Sequence, residues 1–150
     1  MFHTILVADD GSELSDRAVD FAANLAGKYA AGLIVLHVLP TLGSARVPPE
    51  LRGLAHAEHV ELTEIDVLKR AADQILQAAL SRARDQGAIK VRASMGIGQI
   101  AQTIVGYAKD EGADWLVLGR SGLGSVRGPA LGSTAQNVMH LSNCACLTVV

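Results

Sequence analysis

Apolar residues occur along the chain in two alternating patterns. Short, wholly apolar runs such as Ile5–Val7 and Leu33–Leu36 have the length and bulk of strands that are buried on both faces. Between these runs, apolar residues recur every three or four positions, as expected for one face of a helix. The predicted strands cover residues 3–8, 33–39, 89–94, 115–118 and 146–150, and the predicted helices cover residues 14–31 (ended by Gly32), 60–86, 99–111 and 133–141. This alternation predicts an α/β fold, a doubly wound five-stranded parallel sheet with helices on both faces.

The third predicted strand is the exception, because its apolar residues alternate with polar ones. Ile89, Val91 and Ala93 would face inward and the residues between them would face solvent, so this strand is expected at an edge of the sheet. A turn is predicted after it, at residues 96–98. Residues 41–57 contain glycine and proline without periodicity, and they are predicted to form a surface excursion.

Length and composition limit the class of protein. The chain fits a single domain, residues 1–150, and its 49% hydrophobic and 19% charged residues are typical of a compact soluble protein. The net charge of −2 and the scattered Lys and Arg residues argue against binding to nucleic acid. No apolar run approaches the ~20 residues that cross a bilayer, and the amino terminus enters a strand without a signal segment. We therefore expect no membrane association and a cytoplasmic location.

The cysteine and histidine residues form no recognisable chemical motif. Cys144 and Cys146 would lie on one face of the last strand, and with a single residue between them they are expected to pack as small apolar residues. His56 and His59 are spaced to share a metal ion on a helix, but no third ligand accompanies them, so a solvated helix start is favoured. His37 is expected to be a hydrogen-bonded residue of the core or the sheet end.

A glycine-rich loop follows the fourth predicted strand. The apolar run at residues 115–118 ends in a segment with five glycines, Gly119, Gly122, Gly124, Gly128 and Gly132. Ser133, followed three positions later by Gln136, is typical of a capping box at a helix start. Free N–H groups in a first helical turn attract anions, and glycines let phosphates approach the main chain. The strand, loop and helix start together indicate a phosphate-binding site.

The spacing of these glycines indicates the type of loop. It lacks the Gly-Lys-Ser/Thr ending of a Walker loop and the short spacing of a dinucleotide fingerprint. Gly-x2-Gly-x9-Gly-Ser, from Gly119 to Ser133, instead resembles the nucleotide-binding signature of the universal stress protein family. The segment ILVADDGSE at Ile5 adds to this resemblance, which extends over nearly the whole chain as far as Val150.

The resemblance implies the strand order 3-2-1-4-5 and a nucleotide site between the first and fourth strands. In a parallel sheet, ligands bind beyond the strand ends where the connections switch direction, and the polar end of the first strand and the glycine loop meet there. The implied ligand is ATP, with Mg²⁺ held mainly by the phosphates. By resemblance, the nucleotide-binding residues are Ala8, Asp9, Asp10, Val38, Gly119, Arg120, Gly122, Gly132, Ser133, Thr134 and Ala135.

Several of these residues also have a purely structural interpretation. Asp10, which the resemblance implies is a contact to the base or ribose, would equally form an Asx turn before the first helix. Ser133 would serve as a helix N-cap whether or not an anion binds. Arg120 and Arg127 are either phosphate contacts or solvated loop charges.

The resemblance implies a cytoplasmic stress-response regulator whose conformation and dimerisation respond to ATP. Neither Ser12 nor Ser133 has a His base and an orienting acid in a recognisable pattern, so binding is favoured over catalysis. Slow hydrolysis of ATP is the most that is expected. The alternative is a family member without nucleotide binding that acts as a protein-interaction module with unknown partners.

The last predicted strand, Cys146–Val150, contains no charge, proline or glycine. The implied strand order puts it at a sheet edge, where unpaired N–H and C=O groups favour pairing with another chain. We therefore predict a homodimer in which the last strands of two copies pair about a two-fold axis.

Overall fold

The computed structural model of the protein describes residues 1–41, 64–122 and 130–150. Its strands are β1 (Thr4–Ala8), β2 (Gly32–Leu39), β3 (Lys90–Ile97), β4 (Trp115–Gly119) and β5 (Ala145–Val149). Its helices are α1 (Glu13–Tyr29), α2 (Glu64–Asp85), α3 (Ile100–Asp110) and α4 (Ser133–Leu141). All strand pairs are parallel, in the order β3-β2-β1-β4-β5. This confirms the predicted fold class and the strand order that the family resemblance implied.

The two larger hydrophobic clusters of the described residues lie on opposite faces of the sheet. Ile5 and Val7 of β1 pack with the buried alanines of α1 and α2, whereas Leu6 packs with Ile104 of α3 and Val138 of α4. Successive residues of a strand point to opposite faces, so a wholly apolar strand supplies both cores. Helices therefore cover both faces of the central strands. A ligand is expected to bind at the polar ends of those strands.

The end of α1 differs from the prediction that Gly32 terminates it. The helix ends at Tyr29, and Ala30 takes the left-handed conformation, with φ 55° and ψ 30°. Gly32 already belongs to β2, where its N–H donates to the carbonyl oxygen of His3 at 2.8 Å. The sheet ladder thus begins two residues after the helix cap, because pairing with β1 satisfies the main chain there.

The third strand is longer than predicted. Gly96 and Ile97 were predicted in a turn, but they continue β3 and pair with Val38 and Leu39 of β2. The turn is at Gly98, where φ is 155°. Ile89, predicted to face inward, is 83% exposed and lies before the strand begins. The edge position is correct, since β3 pairs only with β2 in the described sheet.

Several sequence features can be located, and others lie outside the described residues. Cys146 lies in β5 and Cys144 just before it, and both half-buried thiols pack against the α3–α4 side of the sheet. His56, His59, Arg127, the excursion after Thr41 and the first residues of the predicted second helix are not described. Within the three described ranges, no helix has the length and apolar character needed to cross a membrane.

Candidate functional site

A cavity of about 560 Å³ opens beyond the carboxyl ends of β1 and β4. The chain leaves β1 toward one face of the sheet and leaves β4 toward the other, so the two connections diverge and leave a crevice between them. The predicted site residues that line it are Ala8, Asp9, Asp10, Val38, Gly119, Gly122, Gly132, Ser133, Thr134 and Ala135. Ten of the eleven predicted residues thus border one cavity, although they come from four separate segments of the chain.

The loop from β1 to α1 is held by local hydrogen bonds. Asp10 Oδ1 accepts from the N–H of Ser12 at 2.9 Å, which is the predicted Asx turn. Ser12 Oγ accepts from the N–H of Ser15 at 3.2 Å and caps α1 as predicted. Gly11 has φ 81°, a conformation that favours glycine. Asp10 thus forms the Asx turn and also borders the cavity, so the two predicted roles are compatible.

Asp9 is the most deeply buried polar residue of the site, with 3% of its surface exposed. Its Oδ1 atom accepts from the N–H of Gly11 at 2.9 Å and from Ser15 Oγ at 2.6 Å. Burial raises the pKa of the Asp9 carboxyl, the bonds from Ser15 and Gly11 lower it, and the nearby charges of Asp16 and Asp10 raise it, with a net upward shift.

His37, on β2, contacts the same residue through its main chain. The His37 Nδ1 atom lies 2.7 Å from the carbonyl oxygen of Asp9. Because a carbonyl oxygen only accepts, Nδ1 carries the proton in this contact. His37 is therefore a hydrogen-bonded residue of the sheet end, as predicted, and it also borders the cavity, which was not predicted.

Two glycines of the β4 segment are positions of close approach. A Cβ atom at Gly119 would lie 3.0 Å from the carbonyl carbon of Leu14 and 3.1 Å from the nitrogen of Ser15, so this glycine lets β4 pack against the start of α1. A Cβ atom at Gly122 would collide with Asp10 Oδ2. The loop glycines thus bring the two sides of the crevice together, a role that glycine spacing alone does not reveal.

The start of α4 forms another wall of the cavity. Gly132 is the N-cap, with φ −66° and ψ 156°, and Ser133 is the first helical residue. The first helical hydrogen bond runs from the N–H of Gln136 to the carbonyl oxygen of Gly132 at 3.0 Å. The N–H groups of the three residues between them therefore precede the helical ladder and are available to an anion.

The predicted capping box at this helix does not form. Ser133 is not the N-cap, and no side chain caps the first turn among the described residues. Gln136 Nε2 instead donates to the carbonyl oxygen of Leu131 at 3.1 Å, outside the helix. A serine with a glutamine three residues later is compatible with a helix that is capped by the serine or by the residue before it. Here the N-cap is Gly132, the residue before Ser133.

Arg120 is the one predicted site residue that does not border the cavity. Its main chain joins two elements, because its N–H donates to the carbonyl oxygen of Val149 and its own carbonyl accepts from the N–H of Gly132, both at 2.8 Å. Its Nε atom is buried and has no hydrogen-bond partner among the described residues. The residue therefore links β5 to the start of α4 through the backbone.

The apolar part of the cavity was largely missed by sequence reasoning. Besides the predicted Val38, it is formed by Leu36 on β2, Ile100 and Ile104 on α3 and Leu118 on β4. The other lining residues not predicted are Ser15, His37, Ser121, Ala130 and Leu131. Ile100 was predicted to face inward on its helix and is 40% exposed at the cavity, a difference that helical spacing does not record.

The model of the universal stress protein family matches residues 1–149 of the chain. Universal stress protein YxiE of Bacillus subtilis is 32% identical over 152 residues, which cover 99% of both proteins. A solved universal stress protein in complex with cAMP is 28% identical, with a TM-score of 0.69 over 99% of this chain and 96% of that one.

A more distant structure shares the fold. The universal stress protein from Archaeoglobus fulgidus in complex with dAMP has a TM-score of 0.69 at 22% identity, over 100% of this chain and 98% of that one. The fold of this chain agrees with the folds of both solved structures. With that match over residues 1–149 and a relative that is 32% identical over 99% of both proteins, this chain belongs to the universal stress protein family.

Proposed function

We propose that this chain binds adenine nucleotides, and ATP in particular, in the cavity beyond β1 and β4. The observation that carries the proposal is that one cavity has an apolar part, with Leu36, Val38 and Ile100, and a part bordered by the first turn of α4. The apolar side chains suit the flat adenine base, and the N–H groups of the helix start suit the phosphates. Asp10 offers a carboxylate to ribose hydroxyls.

Two related proteins support this proposal by their ligands. One universal stress protein was solved with cAMP and another with dAMP, and both ligands contain adenine and phosphate. In this chain the proposed contacts are Ala8, Asp9, Asp10, Val38, Gly119, Gly122, Gly132, Ser133, Thr134 and Ala135. Arg120 is left out of this assignment because it does not border the cavity. Mg²⁺ would be held mainly by the phosphate oxygens of ATP.

The proposed role is that of a cytoplasmic stress-response regulator rather than an enzyme. The cavity is bordered by the end of β1 and the loop after it, the end of β2, the segment after β4 and the start of α4, so a bound nucleotide would contact all of them. His37, the histidine that borders the cavity, bonds to the Asp9 carbonyl through Nδ1 and has no bond to Ser12 or Ser133. Slow hydrolysis of ATP is the most that this arrangement would support.

The regulator is proposed to act as a homodimer that pairs through β5. This strand lies at an edge of the described sheet, and Val150, which follows it, is 65% exposed. An edge strand with unpaired N–H and C=O groups favours association with a second copy, which would pair with it.

The direct test is to identify and titrate the ligand. Mass spectrometry of molecules released from freshly purified, denatured protein is expected to find an adenine nucleotide, and calorimetry is expected to show binding of ATP with Mg²⁺. Gly132→Val should weaken ATP binding about tenfold or more, because its branched side chain would occupy the space where phosphates meet the main chain. Its fold should persist, since φ −66° and ψ 156° are accessible to valine.

Adenosine is the matched control ligand, because it has the base and ribose without phosphates. It should bind equally to the wild type and to Gly132→Val. A wild-type protein that carries no nucleotide and shows no heat of binding with millimolar ATP and Mg²⁺ would contradict the proposal and favour the protein-interaction module.

A further inference from the structure

Asp9 borders the cavity, and only one of its two carboxylate oxygens is engaged. Oδ1 accepts both hydrogen bonds, from the N–H of Gly11 and from Ser15 Oγ. Within the part of the chain that the structure describes, no hydrogen bond reaches Oδ2. Asp9 is 3% exposed, and both Asp9 and Ser15 border the cavity. A carboxylate oxygen in the wall of a ligand cavity that accepts no hydrogen bond from the described protein is placed to contact a ligand.

The surroundings of Asp9 are acidic. The described charged and titratable groups near it are Asp10 in the same loop, Asp16 on α1 and His37 on β2. Burial raises the pKa of the Asp9 carboxyl, and the charges of Asp16 and Asp10 raise it further, against the bonds from Ser15 and Gly11. His37 Nδ1 bonds to the main-chain oxygen of Asp9, so its proton does not serve the carboxylate.

We propose that Asp9 selects ligands of the cavity by their charge, and that binding of a phosphate-bearing ligand is coupled to uptake of one proton by the Asp9 carboxyl group. When ionised, this buried carboxylate repels a phosphate in the same crevice, where the low dielectric strengthens the repulsion. When protonated, the carboxyl is neutral and its Oδ2–H donates a hydrogen bond to a ligand oxygen. The proton comes from solvent, and no covalent bond of the ligand changes.

This inference rests on the proposed nucleotide function and specifies its selectivity. Calorimetry should be performed with adenosine, AMP and ATP, at several pH values between about 5 and 8 and in buffers of different ionisation enthalpy. In the wild type, ATP and AMP should bind with net proton uptake, and ATP affinity should rise about tenfold as the pH falls. Adenosine should bind without proton uptake and with little dependence on pH.

Asp9→Asn is the decisive variant, because its amide oxygen still accepts from Gly11 and Ser15 but it carries no charge. At the alkaline end of the range it should bind ATP about tenfold more tightly than the wild type does, and adenosine equally. Asp114→Asn is the matched control, since Asp114 is an exposed carboxylate that accepts from the N–H groups of His3 and Thr4, outside the residues that line the cavity. It should leave all three affinities unchanged.

Titration of the phosphates themselves occurs with every protein variant, so the difference between wild type and Asp9→Asn isolates the Asp9 proton. Ser15→Ala provides a second test if Asp9→Asn folds poorly. It removes a hydrogen bond that lowers the pKa of Asp9, so the pH range of proton uptake should move upward.

Four outcomes would overturn the inference. Equal proton uptake by wild type and Asp9→Asn, or the same gain in affinity for adenosine as for ATP, would show that Asp9 does not select by charge, with nucleotide binding intact. An unchanged pH range in Ser15→Ala would do the same. If none of the three ligands binds the wild type, the proposed function fails and this inference fails with it.

Discussion

At the scale of single residues, the buried carboxyl of Asp9 connects the stability of the fold to pH. Its pKa in the folded protein is raised above the ordinary value of 3.8. Between 3.8 and the raised value, the folded state holds a proton that the unfolded state has lost. The free energy of unfolding therefore falls as the pH rises through this range. We expect Asp9→Asn to remove this fall.

The measurement is denaturant unfolding of wild type and Asp9→Asn at a series of pH values without nucleotide. The contribution of Asp114 to stability varies with pH in the opposite direction. The hydrogen bonds from the N–H groups of His3 and Thr4 lower the pKa of Asp114. Its contribution to the free energy of unfolding is therefore present above pH 3.8 and is lost as the pH falls. That contribution is common to both proteins and cancels in their difference. A difference that does not vary with pH would contradict the raised pKa.

Substitution of Gly122 tests the close approach between the segment after β4 and the loop after β1. In Gly122→Ala, the added Cβ atom would collide with Asp10 Oδ2, and the carboxylate would have to turn away from its position at the cavity. On the proposed function, we expect the dissociation constant for ATP to rise about tenfold and the free energy of unfolding to fall by no more than about 1 kcal/mol. Calorimetry and denaturant unfolding measure the two effects. Unaltered ATP affinity would exclude Asp10 as a contact in the position seen here.

At the scale of helices and strands, glycine-to-alanine substitutions in α1 and α3 are expected to have opposite effects on the stability of the protein. Gly106 lies inside α3, and a Cβ atom there would have no atom within 4 Å, so Gly106→Ala should stabilise the protein by about 0.5–1 kcal/mol. Gly27 lies in α1, where a Cβ atom would approach the carbonyl oxygen of Gly87 to 2.5 Å. Gly27→Ala should therefore destabilise by about 1–3 kcal/mol, because backbone atoms must separate.

Denaturant unfolding of the two variants checks this pair directly, and each is the control for the other. Stabilisation by Gly27→Ala would show that α1 and the turn after α2 separate at little cost. The contact matters for the site, because α1 also packs against Gly119 at the base of the cavity.

At the scale of the whole molecule, the free edge of β5 is expected to decide the oligomeric state. The carbonyl oxygen of Val149 accepts from the N–H of Arg120 in the β4 segment. N–H and C=O groups of neighbouring residues in a strand point to opposite edges, so those of Thr148 point away from β4. Thr148→Pro should therefore leave the β4–β5 ladder intact, remove a donor from the free edge and shift the proposed homodimer toward monomer or aggregate.

Light scattering or sedimentation at micromolar concentrations measures this change. Thr148→Val keeps the N–H group and a β-branched side chain of similar size, so it should remain a dimer and serves as the control. A wild-type monomer, or a Thr148→Pro dimer as tight as the wild type, would locate any self-association elsewhere.

Local sequence patterns were sufficient for the order and type of the described elements, though not for all their ends, and they indicated the strand ends that border the candidate cavity. Wholly apolar runs predicted strands buried on both faces, and helical spacing predicted the helices between them. Asp9, Asp10 and the glycines from Gly119 to Gly132 indicated the two strand ends that border the cavity. These features could be predicted because each depends on the chemistry of a few neighbouring residues.

Only the tertiary structure decided which atoms of these residues face the cavity and which are used elsewhere. Gly119 packs against α1, Gly132 replaces Ser133 as the N-cap, and the backbone of Arg120 joins β5 to α4. Leu36 and Ile104 were indistinguishable from core residues, because the same apolar side chain fills a core or lines a cavity. The distinction depends on contacts between segments far apart in the chain, which no local spacing records.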